Sequence, residues 1–551
     1  MWRYLQYTIF GLTVVLLTIH EIVFVQAGEQ ERVAWYEGAT RAIEGRIRAS
    51  AATWSASGSA PAGGVARGVV LFVGDGMGMS TLTAARILSG QRHGNTGEEA
   101  QLAWDSFPAV ALARTYNMDA QVGESSACAT ALLCGVKANY ETVGLDSSAR
   151  FENCYSSFDA RVPSLINWAQ EQGKSTGLVT TTRVTHATPA ALYAHAASRY
   201  WEDDGKVPPA ARTSCKDIAR QLLEDEPGRN INVILGGGRR HFVPKVIQDP
   251  EEPDKEGRRL DGRNLIEEWS RNHRLRNVAA KYVANKEQFE SVDPRKVNHL
   301  LGLFSYSHMD FDVDRNTNGS GDPSLAEMTI KALRILAKNP EGYFLFVEGG
   351  RIDHAHHYNN AYRALDETLA LEEAVRAVMK EVDLSETLLV VTADHSHVLT
   401  LGGLATHRGN PIFDCGSSPC LGDARGRGRA GVRDRPPGQR LVLRQRGPEL
   451  HTSCDLVRLL PGPPRGPLFP GLGIEQRHNQ RPDKLSLGGA EQRRDIQRRD
   501  ERPGQKSTHQ IRRAPPPLAG HCSPPPAPCP PRPNTVPPGD ELMPVRPSSG
   551  E

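Results

Sequence analysis

Between about Val65 and Phe413, short unbroken runs of apolar or β-branched residues alternate with longer stretches whose apolar positions recur at helical spacing. The short runs are Gly68–Val73, Gly177–Thr181, Ile231–Leu235, Tyr343–Val347 and Thr387–Thr392. A strand with one wet face alternates apolar and polar positions, whereas one covered on both faces reads as a continuous run. These runs therefore predict strands buried on both sides. Ser324–Ala337 and Asn360–Val382 predict amphipathic helices between them. Strand and helix in alternation give an α/β domain: a doubly wound, mostly parallel sheet with helices on both faces.

The two ends of the chain depart from this pattern. Residues 1–27 hold an apolar stretch from about Ile9 to Val25 that closes on Val25-Gln26-Ala27, the layout of a secretory signal peptide. His20 and Glu21 interrupt that stretch and argue against an uncleaved membrane span. Beyond Phe413 about 25 of the 39 prolines accumulate, Arg outnumbers Lys by roughly ten to one, and Phe469 is the sole aromatic residue. Such a composition cannot bury enough apolar surface to offset the entropy of ordering, so residues 414–551 are expected to be disordered. Out-of-frame translation of a GC-rich message produces the same Arg, Pro and Gly excess as a genuine basic tail, and the abruptness of the change favours it. The domain expected between the two ends is 28–413.

Composition narrows the function classes. Lys+Arg 66 against Asp+Glu 64 leaves a net charge of +2, which does not suit a nucleic-acid binder, and the tail lacks the aromatics that stack on bases. Export into the secretory pathway, to the cell surface or beyond it, permits disulfides. Of nine cysteines, Cys128 and Cys134 lie among small apolar residues and read as buried thiols, while Cys154 and Cys215 lie in polar surroundings and are the candidate bridge. Asn318-Gly319-Ser320 is a glycosylation sequon.

The candidate chemistry falls at predicted strand ends, where open α/β sheets bind ligands. Gly74-Asp75-Gly76-Met77-Gly78 follows the first strand, and its glycines let an ion approach a carboxylate. In Glu348-Gly-Gly-Arg-Ile-Asp353-His354-Ala-His356-His357, Asp353 and His357 stand four apart, on one face of any helix that begins there. Thr392-Ala-Asp394-His395-Ser-His397 offers adjacent carboxylate and imidazole donors of the kind zinc takes. Glu124-Ser125-Ser126 opens a run of small residues, where a helix N-terminus would favour an attached phosphate. Thr188 could give a hydroxyl to magnesium, and Arg199 has the planar fork that grips phosphate oxygens.

Six motifs in order carry a family likeness: Gly74–Gly78, Cys134-Gly-Val-Lys-Ala-Asn139, Thr181–Pro189, Leu235–Gly238, Val347–His354 and Thr392–His397. Over about residues 33–413 the chain resembles the animal, membrane-anchored or secreted alkaline phosphatases. The resemblance implies hydrolysis of small phosphate monoesters through a phosphoserine, with Ser125 as nucleophile and Arg199 on the phosphate. It implies that Asp75 bridges a Zn2+ and a Mg2+, that Asp394 and His395 complete that zinc site, and that Asp353 and His357 hold a second Zn2+. Thr188 and Glu348 would hold magnesium, with His186, His397 and Glu124 in supporting positions. Cys154 and Cys215 match the family's disulfide. A Ca2+ site is matched by Glu251, the Phe304 carbonyl and Asp322, with Ser305 where a glutamate is usual. A homodimer is implied, and a membrane link only through a lipid anchor that this C-terminus does not encode.

The chain departs from the family in two places. Glu124 stands where the family has aspartate, so its longer side chain must fold back to keep the same contact. The third ligand to the second zinc, a histidine in a downstream Thr-His-x-Gly-Glu-Asp segment, has no counterpart, and the likeness ends after Phe413. Two expectations follow: an active phosphomonoesterase, or an exported protein that binds phosphate or metal without turnover. A phosphodiesterase or sulfatase of the same superfold fits the Val347–His354 run less well.

Overall fold

The computed structural model describes residues 28–45, 48, 65–402, 408–413, 442–445 and 454–460, all within one compact unit, Met1–Ile474. The expected signal segment and most of the expected disordered stretch lie outside the described residues. Strands β1 (Gly68–Gly74), β2 (Ala109–Arg114), β3 (Ser175–Arg183), β4 (Val233–Gly237), β5 (Ala280–Val283), β6 (His299–Leu303), β7 (Tyr343–Gly349) and β8 (Thr387–Ala393) are joined by β11 (Cys454–Leu460) in a nine-stranded sheet. Its order is β2-β11-β8-β1-β7-β3-β4-β6-β5. The seven strands from β8 to β5 are parallel, and β11 runs antiparallel between β8 and β2. A separate two-stranded ribbon pairs β9 (Leu399–Gly402) with β10 (Val442–Gln445).

All five predicted strands form, ending within about two residues of the expected limits. Their unbroken apolar runs serve two cores. In β1, Val70 and Phe72 point to a core shared with Val179, Leu235 and Leu345, while Leu71 and Val73 point to another shared with Leu178, Ile234 and Phe346. Each fully buried side chain of this size contributes about 1.5–3 kcal/mol. Phe72→Ala would cost about 3–5 kcal/mol, because a cavity is left as well.

Among the described residues eleven α-helices cover the sheet: α1 (28–45), α2 (Met79–Arg92), α3 (Ser125–Cys134), α4 (Leu165–Glu171), α5 (Ala187–Ala190), α6 (Ile218–Glu224), α7 (Leu265–Leu275), α8 (Lys286–Glu290), α9 (Leu325–Leu336), α10 (Arg351–His357) and α11 (Ala361–Glu381). The two predicted helices are α9 and α11. The α9 start is fixed by a capping box, in which Ser324 accepts from the Glu327 N–H and Glu327 returns the bond. Asn360 caps α11 through the Arg363 N–H. Residues of α9 and α11 feed the first core and residues of α3, α4, α6 and α7 the second, so helices lie on both faces as expected.

Candidate active site

The topology sets adjacent strand ends side by side. β8, β1, β7 and β3 are consecutive in the sheet, so their ends and the segments leaving them carry Asp394, Asp75, Glu348 and His186 within about 15 Å of one another. Asp75 is fully buried, and its neighbour Gly76 turns at φ +67, where a Cβ would strike the His397 ring at 2.7 Å. Only glycine fits there. Its N–H donates to Asp394 Oδ1 at 3.1 Å, as does the His395 N–H at 2.8 Å.

Those bonds leave oxygens without donors. Asp75 Oδ2, Asp394 Oδ2, Glu348 Oε1 and Thr188 Oγ1 are all buried with no hydrogen-bond partner among the described residues. An unpaired buried acceptor costs about 1–3 kcal/mol, and more when charged. Burial, then the charges of Asp394, Asp353 and Glu348, push the Asp75 carboxyl well above its usual range. Burial and Asp394 likewise push Glu348 up to about 7, against the hydroxyl bond from Thr180. A divalent cation would reverse that repulsion. The oxygen and imidazole donors therefore fit the metals expected for these residues. Asp75, Asp394 and His395 have donor atoms within 4.8 Å of one another.

A second three-donor group lies beside the first. The α10 turn brings His357 Nε2 to 3.4 Å from Asp353 Oδ2, as the four-residue spacing predicted. His397 Nε2 lies 2.6 Å from Asp353 Oδ1. The sequence reading gave His397 a supporting position; the structure sets it directly among the donors. Burial would raise the Asp353 carboxyl, but the His397 hydrogen bond and the nearby imidazoles hold it well below the usual range.

Ser125 is the first residue of α3, not its cap. Glu124 is the N-cap and accepts from the Ser126 N–H at 3.0 Å and the Ala127 N–H at 2.7 Å. Ser126 Oγ is tied to Glu124 Oε1 at 2.5 Å. Ser125 Oγ instead lies 3.1 Å from His395 Nε2 and 3.3 Å from Asp75 Oδ1. The two serines are thereby told apart. The added methylene of Glu124 does fold back: Oε2 meets Arg199 Nη1 at 2.7 Å while Oε1 also accepts from the Glu141 N–H at 2.9 Å. Burial opposes charge on Arg199, and the Glu124 carboxylate outweighs it. The segment bearing Arg199 packs by Ala197 and Trp201 against the Cys154–Cys215 disulfide, which forms as expected. Cys128 and Cys134 are free and buried, also as expected.

The calcium expectation meets a different arrangement. Glu251 Oε2 accepts from Arg239 Nη2 at 2.8 Å, and Asp322 Oδ2 accepts from Ser305 Oγ at 2.7 Å. Arg239, itself held by Asp249, thus already occupies one of the two carboxylates, and Ser305 supplies a donor where a ligand was needed. Phe304 is fully buried in the core, and Asn318 is exposed in a loop. His308 was missed by the sequence reading. It joins His186 and His354 in a third group of convergent donors, and its isolated place in Ser305-Tyr-Ser-His308 offered no spacing signal.

The profile of the alkaline phosphatase family matches residues 66–426. The tissue-nonspecific isozyme of alkaline phosphatase from Gallus gallus is 50% identical over 363 residues, 65% of this chain and 68% of that one. The membrane-bound alkaline phosphatase of Bombyx mori is 46% identical over 391 residues, 70% and 69% of the two chains. Among solved structures, Thermus thermophilus alkaline phosphatase is similar with a TM-score of 0.50 and 31% identity, over 63% of this chain and 64% of that one. The chain belongs to the alkaline phosphatase family, a family of phosphomonoesterases.

Proposed function

We propose that the chain hydrolyses phosphate monoesters to an alcohol and inorganic phosphate through a phosphoserine at Ser125. The observation that carries this reading is the placement of Ser125 Oγ against His395 and Asp75, beside four buried oxygens that lack donors. Asp75, Asp394 and His395 would hold one zinc, Asp353, His357 and His397 the second, and Asp75, Thr188 and Glu348 a magnesium. When bound, these ions supply the positive charge that favours the serine alkoxide and stabilises the leaving oxygen.

The chain's own residues do the rest. Arg199, held by Glu124, fixes the equatorial phosphate oxygens with a planar fork. The positive end of the α3 dipole favours the added negative charge on Ser125. Ser125 Oγ attacks phosphorus in line with the departing alkoxide, and water then cleaves the Oγ–P bond from the vacated side. In this reading His397 takes the place of the third ligand that has no counterpart downstream, a role supported by its place beside Asp353 and His357. The alternative of a binding protein without turnover gains no support from this site.

A location at the cell surface or outside the cell is proposed from the relatives' names; among the described residues no helix is long and apolar enough to cross a membrane. Turnover of p-nitrophenyl phosphate by the full chain, before and after chelation and zinc–magnesium repletion and with Ser125→Ala, tests the reading. Metal-dependent turnover abolished by Ser125→Ala is expected. Turnover that persists in Ser125→Ala, or none in the repleted chain, rejects it.

A further inference from the structure

A cavity of about 180 Å3 lies beside the Cys154–Cys215 disulfide, walled by the segment that follows α5 and by α6 with the residues flanking it. None of its lining residues belongs to the Ser125 site. The wall is fixed from behind. Buried Gln221 accepts from the His195 N–H at 2.8 Å and donates to His195 O and Lys216 O, both at 3.1 Å. Trp201 donates its main-chain N–H to Ser198 O at 3.2 Å and accepts from the Ile218 N–H at 2.8 Å. Ser157 Oγ is taken up by Cys154 O at 2.7 Å.

Three groups on this wall have no protein partner suited to them. Trp201 is 2% exposed, and its indole N–H donates to none of the described residues. His195 Nε2 lies 3.0 Å from Val162 O. A carbonyl only accepts, so that nitrogen is assigned the proton, and Nδ1 is left as an acceptor with no donor on it among the described residues. Burial, with the Arg161 guanidinium behind it, brings this imidazole down to about 4 against the Val162 bond, so the ring is neutral at physiological pH. Arg161 makes no ion pair among the described residues and lies 5.8 Å from the Phe158 ring centroid. Lys216, by contrast, is paired with Glu224 at 3.0 Å and with Asp225.

The chemistry of the wall selects its occupant. A buried N–H and an unmatched cation call for an acceptor with negative charge. A carboxylate meets both, since it can accept from the indole and from the planar fork of Arg161. One unmatched cation balances one negative charge, and the Asp225 carboxylate on the same wall disfavours a second. The free lone pair of His195 Nδ1 calls for a hydroxyl donor. At the ~30 Å3 that a water occupies in the liquid, the cavity takes about six non-hydrogen atoms, the size of a three-carbon hydroxy acid.

We propose that the cavity lined by Arg161, His195 and Trp201 is a binding site for a small monocarboxylate that carries a hydroxyl group. Arg161 and the Trp201 N–H hold its carboxylate, and His195 Nδ1 accepts from its hydroxyl.

The probe is L-lactate, titrated calorimetrically into the full-length chain at fixed ionic strength. Saturable binding at one site per chain is expected in wild type. Arg161→Gln should weaken the Kd about tenfold, and Trp201→Phe, which keeps an aromatic ring without the N–H, about fivefold. Propionate, which lacks the hydroxyl, should bind wild type about fivefold more weakly than lactate. Arg161 is exposed, so its variant keeps the fold and decides the case should Trp201→Phe fail to fold. No saturable lactate binding by wild type overturns the proposal, and so does an unchanged Kd in Arg161→Gln. Propionate or sulfate bound as tightly as lactate overturns it too, leaving an adventitious ion only.

Discussion

Removing the Glu124 carboxylate should loosen both the start of α3 and the phosphate-binding arginine, and the structure separates the two contributions. Glu124 Oε1 accepts from Ser126 Oγ, the Ala127 N–H and the Glu141 N–H, while Oε2 accepts from the Ser126 N–H and Arg199 Nη1. Glu124→Gln keeps an oxygen for the Oε1 set and therefore most of the cap, but it removes the charge from the Arg199 contact. Both side chains are mostly buried, at 13% and 18% exposure, so a charge-assisted bond of about 1.5–3 kcal/mol is at stake. Glu124→Ala also loses the N-cap, a further ~1 kcal/mol. The expected stability order in urea denaturation is wild type, then Glu124→Gln lower by about 2 kcal/mol, then Glu124→Ala lower by about 3 kcal/mol. Arg199 then has no fixed partner on Nη1, so competitive inhibition by inorganic phosphate should weaken about tenfold in both variants. The two variants thus differ in stability and agree in phosphate affinity. Phosphate inhibition unchanged in both would refute the claim that Glu124 positions Arg199; equal stability of the two variants would refute the separation of cap from charge.

Loss of the Cys154–Cys215 bridge, which closes a span of 61 residues, should cost about 4 kcal/mol on the loop-entropy account, read as a lower urea midpoint for Cys154→Ser with Cys215→Ser than for wild type. Burial, and after it the Asp312 charge, push the Glu367 carboxyl up to about 8, while the Asp312 N–H bond and Arg351 oppose them. The folded chain therefore keeps a proton that the unfolded chain releases near pH 4.5, so this contribution is full below that pH and fades as pH rises through about 8. Glu367→Gln should match wild type near pH 4 and exceed it progressively toward pH 9, by up to about 4 kcal/mol; a difference that stays flat across that range rejects the reasoning. His397→Ala should lower zinc content, measured by mass spectrometry of the purified chain, by about one ion per chain, and an unchanged content removes His397 from the second metal group.

The sequence determined whatever depends on neighbours along the chain. Continuous apolar runs marked β1, β3, β4, β7 and β8, because a strand covered on both faces has no polar side to show. The spacing of Asp353 and His357 already placed both on one face of a helix, since four residues make about one turn. The glycines around Asp75 signalled a turn that only glycine makes, and Gly76 at φ +67 is that turn. Short strands such as β5 and β6 were not legible, because they are brief and their signal comes from pairing with β4 and its neighbours. Tertiary structure alone decided which distant residues meet. β1 lies between β7 and β8, which follow it by more than 260 residues, and that adjacency brings Asp394 and His395 to Asp75 and Ser125. The same long-range packing moved His397 from a supporting position into the donor group of Asp353 and drew His308 to His186 and His354. Local pattern records which face of an element is apolar; it holds no record of which loop will cross Gly237, because that contact depends on strand order and on the absence of a single Cβ.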